Sequence, residues 1–83
     1  MNTTQPRIGL LGVAFGDARE AIGSIEAVLA GFPDLIVARM NLPRCAEGIG
    51  LLTLVVNAST DQIGALAGRL GMLKSVRVKS VVM

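Results

Sequence analysis

The feature that most constrains the fold is a repeated order of apolar and amphipathic segments along 83 residues. Residues 8–15 form a short run with apolar side chains at successive positions, which predicts a strand buried on both faces. Residues 18–30 carry apolar side chains three or four positions apart, which is typical of an amphipathic helix, and Asp17 is its predicted N-cap. A second strand is predicted over residues 35–42. The first half of the chain therefore predicts a strand, a helix and a strand.

The second half repeats this order after a predicted loop at residues 43–48. A strand over residues 49–57 precedes the helix-capping sequence Ala58-Ser59-Thr60-Asp61. A second helix ends at Gly71, and the last strand lies within residues 72–83. The resulting βαββαβ order predicts an α+β, ferredoxin-like fold, with a four-stranded antiparallel sheet and two helices on one face. We expect one domain over residues 1–83, with residues 1–6 flexible.

The composition is very apolar for so short a chain, at 52% hydrophobic residues and a mean hydropathy of +0.63. No apolar run approaches the roughly 20 residues that a membrane helix needs, and the first residues lack the apolar segment of a signal peptide. The sequence therefore predicts a cytoplasmic protein without membrane contact. Cys45 is the only cysteine, so no disulfide can supplement the small core. We expect a homo-oligomer, either a dimer or a tetramer.

Few residues favour catalysis, metal binding or nucleic-acid binding. The chain contains no histidine, so Cys45 has no evident base and no zinc site can be assembled. The glycines at 9, 12 and 16 do not match the spacing of a nucleotide-binding turn, and instead favour close packing of a helix on the first strand, with a tight turn at Gly16. The net charge of +2 is low, the basic residues are dispersed, and only two aromatic residues are present. We therefore predict no enzyme activity, no cofactor and no direct nucleic-acid partner.

The sheet face opposite the helices is the most informative candidate surface. Strict alternation along the strands places Ile36 and Met40 towards the helices, and Arg39, Asn41, Arg77 and Lys79 away from them. That face would combine apolar residues with a basic border, which predicts an interface between subunits. The predicted interface residues are Val37, Arg39, Leu51, Thr53, Arg77 and Lys79. An anion- or metabolite-binding surface is the alternative.

Several motifs resemble the family of regulators of the iron-only hydrogenase system. They are Arg7-Ile8-Gly9, the segment Ala38–Pro43, the segment Thr60–Gly71 and Val76-Arg77-Val78-Lys79. The family consists of stand-alone ACT-like domains, similar to the C-terminal domain of the nickel-responsive repressor. Asn41 and Ser75 stand where the family often has glycine.

This resemblance implies an ACT-like fold and a regulatory role. ACT domains bind amino acids near the turn after the first strand, and the matching candidates here are Gly12, Phe15, Gly16, Asp17 and Arg39. A small-molecule effector bound at a subunit interface is therefore expected. The alternative is a regulatory or interaction subunit that docks on a partner enzyme without a ligand of its own.

Overall fold

The computed structural model describes residues 5–16 and 18–83. The elements follow one another as β1 (Arg7–Phe15), α1 (Ala18–Leu29), β2 (Ile36–Ala46), β3 (Ile49–Ala58), α2 (Thr60–Gly71) and β4 (Val76–Val82). The predicted βαββαβ order is confirmed. The prediction of a flexible N-terminus falls largely on residues 1–4, and the prediction of a helix cap falls on Asp17. Both lie outside the described residues.

The strands form one antiparallel sheet in the order β2-β3-β1-β4. The two central strands place Leu11 opposite Leu54 and Val13 opposite Leu52, and all four side chains are buried. The intervening residues of β1 and β3 are half-buried or exposed. Both helices therefore cover one face of the sheet, as the fold prediction states.

The core lies between this sheet face and the helices. It consists of Leu11, Val13, Phe15, Ala21, Ile25, Leu29, Leu52, Leu54, Val56, Ala58, Ile63, Leu66, Leu70 and Val76. Gly9 allows α2 to approach β1, because a Cβ atom there would lie 2.9 Å from Ile63 Cδ1. The prediction of close packing between helix and strand is confirmed at this glycine. Gly50 has the same effect on β3, where a Cβ atom would collide with the ring of Phe15.

Helix α2 begins with a complete capping box. The backbone N–H of Gln62 donates to Ser59 Oγ at 3.1 Å, and the N–H of Ser59 donates to Gln62 Oε1 at 2.9 Å. These bonds satisfy two backbone groups that a helix terminus otherwise leaves without partners. Ser59 is itself buried, so water cannot readily replace its hydroxyl. The predicted cap sequence therefore fixes the direction in which the chain enters α2.

The hairpin between β2 and β3 differs from its prediction as a loop of residues 43–48. Strand β2 continues to Ala46, which pairs with Ile49, so only Glu47 and Gly48 form the turn. Gly48 has a φ of 72°, a conformation that glycine adopts without steric cost. Cys45 consequently lies on an exposed strand and not in a loop. An edge strand tolerates Pro43 because its missing N–H need not pair with a neighbour.

The predicted orientation of β2 is wrong beyond its first residue. Ile36 pairs with buried Val56, but the register then shifts, so that Ala38 pairs with Val55. This β-bulge at Val37 reverses the alternation downstream. Arg39 and Asn41 therefore lie opposite buried Leu54 and Leu52, on the helix side of the sheet. Ala38, Met40 and Leu42 instead lie on the side without helices.

Candidate functional site

The largest candidate surface is the sheet face that no helix covers, which we call the open face. The pairing registers assign it Ile8, Leu10, Gly12, Ala14, Ala38, Met40, Leu42, Ala46, Ile49, Leu51, Thr53, Val55, Asn57, Arg77, Lys79 and Val81. Its large apolar side chains are well exposed, with Met40 at 55% and Val81 at 56%. Isolated apolar side chains are common on protein surfaces, whereas a contiguous apolar sheet face indicates a contact surface.

The open face has a basic border and no described side-chain carboxylate. Arg77 and Lys79 lie on the edge strand β4, opposite Ala14 and Gly12 of β1. The described acidic residues instead lie on the helices, in the α1–β2 connection and in the β2–β3 turn, as Glu20, Glu26, Asp34, Glu47 and Asp61. The face therefore presents an apolar centre with positive charge along one edge.

The predicted interface residues occupy three different places. Leu51, Thr53, Arg77 and Lys79 lie on the open face, as expected from their alternation. Val37 is 62% exposed at the bulge of β2. Arg39 lies on the opposite side of the sheet, because the bulge changes its orientation. The structure brings four of the six candidates onto one surface, and their role in an interface stays a prediction.

Arg39 has a partner on α1. Its Nη1 donates to Glu26 Oε1 at 3.2 Å, and its Nη2 forms a second hydrogen bond with the same carboxylate. The side-chain hydrogen bond with Glu26 raises the pKa of Arg39, so the guanidinium stays charged. Asn41 and Glu26 line the adjoining cavity, whose volume of about 10 Å³ is far too small for a metabolite. The bidentate pair thus ties β2 to α1.

A cleft opens where β1 ends, beside the β2–β3 turn and the start of β4. It consists of two adjoining hollows of about 620 and 450 Å³ that share Gly16 and Ile49. The first hollow is also lined by Pro43, Arg44, Ala46, Glu47 and Gly48. The second is also lined by Ala14, Phe15, Ser75, Val76 and Arg77. We call the two hollows together the end cleft.

The predicted ligand-binding residues do not form a single site. Phe15 and Gly16 line the end cleft, although Phe15 is only 2% exposed and serves mainly as a core side chain. Gly12 lies in the middle of the open face, opposite Thr53 and Lys79. Arg39 lies on the helix side, and Asp17 is outside the described residues. Their roles in ligand binding stay predictions.

Arg44 and Ser75 are two of the cleft residues that sequence reasoning did not select. Arg44 was assigned to a loop, although it extends a strand to the rim of the cleft. Ser75 has a φ of 63° and accepts a hydrogen bond from the N–H of Gly16 at 3.1 Å through its backbone oxygen. Its position in place of a frequent family glycine was the one available signal, since glycine favours this conformation.

No described helix has the length and apolar character needed to cross a membrane. Within residues 5–16 and 18–83, no three His, Cys, Asp or Glu side chains form a group that could hold a metal ion.

Known structures share the architecture of this chain. The ACT domain from GTP pyrophosphokinase of Chlorobium tepidum matches with a TM-score of 0.79 and 18% identity, over 93% of this chain and 100% of that one. The C-terminal domain of the MgtC protein from Mycobacterium tuberculosis matches with a TM-score of 0.72 and 13% identity, over 100% of this chain and 92% of that one. These similarities show that the chain has an ACT-like fold.

The family follows from the sequence itself. Residues 7–80 match the TM1266-like family, described as "Iron-only hydrogenase system regulator, putative". The structure of the uncharacterized protein TM1266 from Thermotoga maritima matches with a TM-score of 0.88 and 32% identity, over 95% of this chain and 99% of that one. The chain therefore belongs to the TM1266-like family, which confirms the resemblance seen in its motifs. No curated protein matches the sequence.

Proposed function

We propose that this protein is a non-enzymatic regulatory protein of the iron-only hydrogenase system that acts in the cytoplasm as a homo-oligomer. In this proposal the open face forms the contact between copies, and a small metabolite binds at the subunit boundary. The family description supports the regulatory role. The sequence contains no histidine, the residue that most often acts as a general base in enzymes, and this supports a non-enzymatic role.

The observation that carries this proposal is the uncovered apolar face of the sheet. Domains with two layers bury one face of a sheet beneath helices, and the opposite face is normally polar when it contacts water. Here Leu10, Met40 and Val81 are all exposed on that opposite face. Burial of such side chains stabilises an association by about 25 cal/mol per Å² of apolar surface, before the entropic cost of association. A second copy supplies a matching apolar surface.

A second candidate is a small subunit that docks on a partner enzyme. The basic border favours this alternative, because the described part of a second copy offers no side-chain carboxylate on its open face to Arg77 or Lys79. A partner with acidic residues around an apolar patch would match both features. Affinity purification from native lysate distinguishes the two, since recovery of this protein alone counts against the docking subunit.

Light scattering on purified protein tests the homo-oligomer directly. We expect the unaltered chain to have the mass of a dimer or tetramer at tens of micromolar, and Leu10→Glu to have the mass of a monomer. Leu10 is exposed in the single chain, so the variant should fold, but a carboxylate would be buried without a partner in the assembly. Circular dichroism verifies the fold of each variant.

Ala27→Glu is the matched control, because Ala27 is exposed on α1, away from the open face. It should keep the mass of the unaltered protein. A monomeric unaltered chain would contradict the proposal, and so would a Leu10→Glu variant that keeps the full oligomeric mass.

A further inference from the structure

We propose that the end cleft binds a small anion whose carboxylate or phosphate groups contact Arg44 and Arg77. This inference rests on the proposed function in one respect, since it specifies the chemical class of the metabolite. It also assigns ligand contacts to two arginines from opposite edges of the sheet.

The dimensions of the cleft suit a small metabolite. Its two hollows, of about 620 and 450 Å³, lie in the range of roughly 300–1,000 Å³ that is typical of small-molecule sites. Gly16 and Gly48 contribute no side chain to its walls, and a Cβ atom at Gly48 would meet nothing within 4 Å. Backbone groups are therefore accessible along the cleft beside apolar Ile49.

The charged groups of the cleft favour an anion. Arg44 lines the first hollow and Arg77 the second, and neither forms an ion pair with a described carboxylate. Arg39 differs, because its guanidinium is already paired with Glu26. A guanidinium presents parallel N–H donors that match the two oxygens of a carboxylate or phosphate. Two such groups on one cleft provide a bidentate contact at each end.

Glu47 supplies the opposing charge and makes the ligand class testable. It lines the same hollow as Arg44, so the described side chains of the cleft carry two positive charges and one negative charge. A purely anionic ligand is repelled by Glu47, and Glu47→Gln should tighten its binding. A zwitterionic ligand would instead use Glu47 for its ammonium group, and the same substitution would weaken binding.

The cleft is continuous with the open face. Ala14, Ile49 and Arg77 belong to both surfaces. A second copy seated on the open face would therefore border the cleft, and a bound anion would neutralise Arg77 at that boundary. This continuity couples occupancy of the cleft to assembly in either direction.

Calorimetric titration with inorganic phosphate and, separately, with succinate tests the proposal on the full chain. Sodium chloride keeps the ionic strength equal in both arms, so that screening alone gives no signal. We expect saturable binding of at least one probe. Arg44→Gln and Arg77→Gln should each weaken binding about tenfold or more, as loss of a hydrogen bond to a charged group implies. The probe that binds shows whether the cleft recognises a phosphate or a carboxylate group.

Arg19→Gln is the matched control, because Arg19 is exposed on α1 and does not line the cleft. It should leave binding unchanged. No saturable binding in either arm overturns the proposal. The proposal is also overturned if Arg19→Gln weakens binding as much as the cleft variants do. It is overturned as well if Glu47→Gln weakens binding.

Light scattering on the same samples separates this inference from the proposed oligomer. Arg44 is not assigned to the open face, so Arg44→Gln should keep the oligomeric mass while it loses the anion. A monomer that binds anions through both arginines would preserve the inference and overturn the proposed assembly. An oligomer that binds neither probe would overturn the inference and preserve the proposed assembly.

Discussion

Ser75 carries the one left-handed backbone conformation found at a non-glycine residue in the described part of the chain. It lies between α2 and β4, where its carbonyl oxygen accepts the N–H of Gly16 at the end of β1. An L-residue in this region experiences a steric cost of about 1–2 kcal/mol, which glycine does not. The hydrogen bond and the flanking elements hold the backbone in place despite this cost.

Ser75→Gly should therefore stabilise the protein. Relief of the steric cost exceeds the extra backbone entropy of glycine in the unfolded chain, so we expect a net gain of about 0.5–1 kcal/mol. For a domain of this size, that gain corresponds to a rise in Tm of about 2–8 °C. Thermal unfolding followed by circular dichroism measures it.

Ser80→Gly serves as the control for this substitution. Ser80 lies within β4 and is not among the positive-φ residues, so glycine there should lower Tm. A fall in Tm for both variants would show that the backbone at Ser75 carries no strain.

At the scale of residues, the structural roles of the glycines could be predicted only in part from the sequence. Gly9 was expected to permit close packing of a helix, and the approach of Ile63 confirms it. The partnership of Gly50 with Phe15 could not be inferred, because it depends on the register between β1 and β3 across 35 residues of chain. Local sequence patterns contain no information on such a distant contact.

At the scale of elements, α2 shows how far a local motif can specify structure. The start of the helix is stabilised by Ser59 at the N-cap, by Asp61 in the first turn and by Gln62 at the third helical position. All three lie within four residues of one another, so sequence reasoning can recognise the motif without any tertiary contact. The predicted end of the helix at Gly71 is also confirmed.

Ser59→Ala should destabilise the fold by about 1 kcal/mol, within the range of 0.5–2 kcal/mol for loss of such a cap. The reason is that the N–H of Gln62 loses its acceptor in a buried setting. Urea unfolding measures the change, and Ser59→Asp should recover most of it because aspartate also caps helices.

Ser24→Ala is a suitable comparison. The Ser24 hydroxyl donates to the Glu20 carbonyl in the exposed part of α1, so its loss should change stability by less than about 0.5 kcal/mol. Equal losses of stability for Ser59→Ala and Ser24→Ala would show that the capping box stabilises the fold no more than an exposed side-chain hydrogen bond does.

The ion pair between α1 and β2 has a defined pH behaviour. The pKa of Arg39 is raised in the folded state, chiefly by its hydrogen bond with Glu26. While Glu26 is ionised, a raised pKa of the Arg39 cation stabilises the fold at pH values below the ordinary range of that pKa, and this contribution is lost in strongly alkaline solution. Both side chains are more than 40% exposed, at 41% and 47%, so the pair adds at most about 1 kcal/mol.

Strand β2 marks the limit of prediction from alternation. Val37 is flanked by Ile36 and Ala38, and this apolar run contains no signal for an extra residue in the strand. Pro43 likewise favoured a loop, although an edge strand accommodates it. Bulges and edge positions are properties of strand pairing, which becomes visible only in the assembled sheet.

The whole molecule combines a small core with a long, exposed hairpin. Its Cα radius of gyration is 12.4 Å, but its extents are 41 × 19 × 17 Å. Residues 37–48, which complete β2 and form the following turn, are exposed throughout. We expect contact with another surface to add to the stability of so small a domain.

The melting temperature should accordingly depend on protein concentration. If assembly stabilises the folded chain, mass action raises Tm as concentration increases from about 1 to 100 micromolar. Differential scanning calorimetry measures this dependence, and the Leu10→Glu variant should show a lower Tm that no longer varies with concentration. A constant Tm in the unaltered protein would argue against assembly as a source of stability.

Fold and family were accessible from the sequence, whereas the arrangement of the candidate site was not. The strand and helix patterns and the segment Thr60–Gly71 were sufficient for both assignments. The five predicted ligand residues depend on the resemblance to ACT domains, which bind amino acids near the turn after the first strand. The end cleft instead joins residues from β1, the β2–β3 turn and β4, which only the strand order brings together.

The bulge at Val37 also bears on how such a surface can change during evolution. If Val37 instead paired with Val55, the bulge would disappear and every later residue of β2 would shift by one pairing position. Arg39 and Asn41 would then lie on the open face, while Ala38 and Met40 would lie on the helix side of the sheet. A register slip of one residue could thus exchange an apolar surface for a more hydrophilic one without replacing a single amino acid. Relatives that pair this strand without the bulge should therefore be poor guides to the surface that this chain presents.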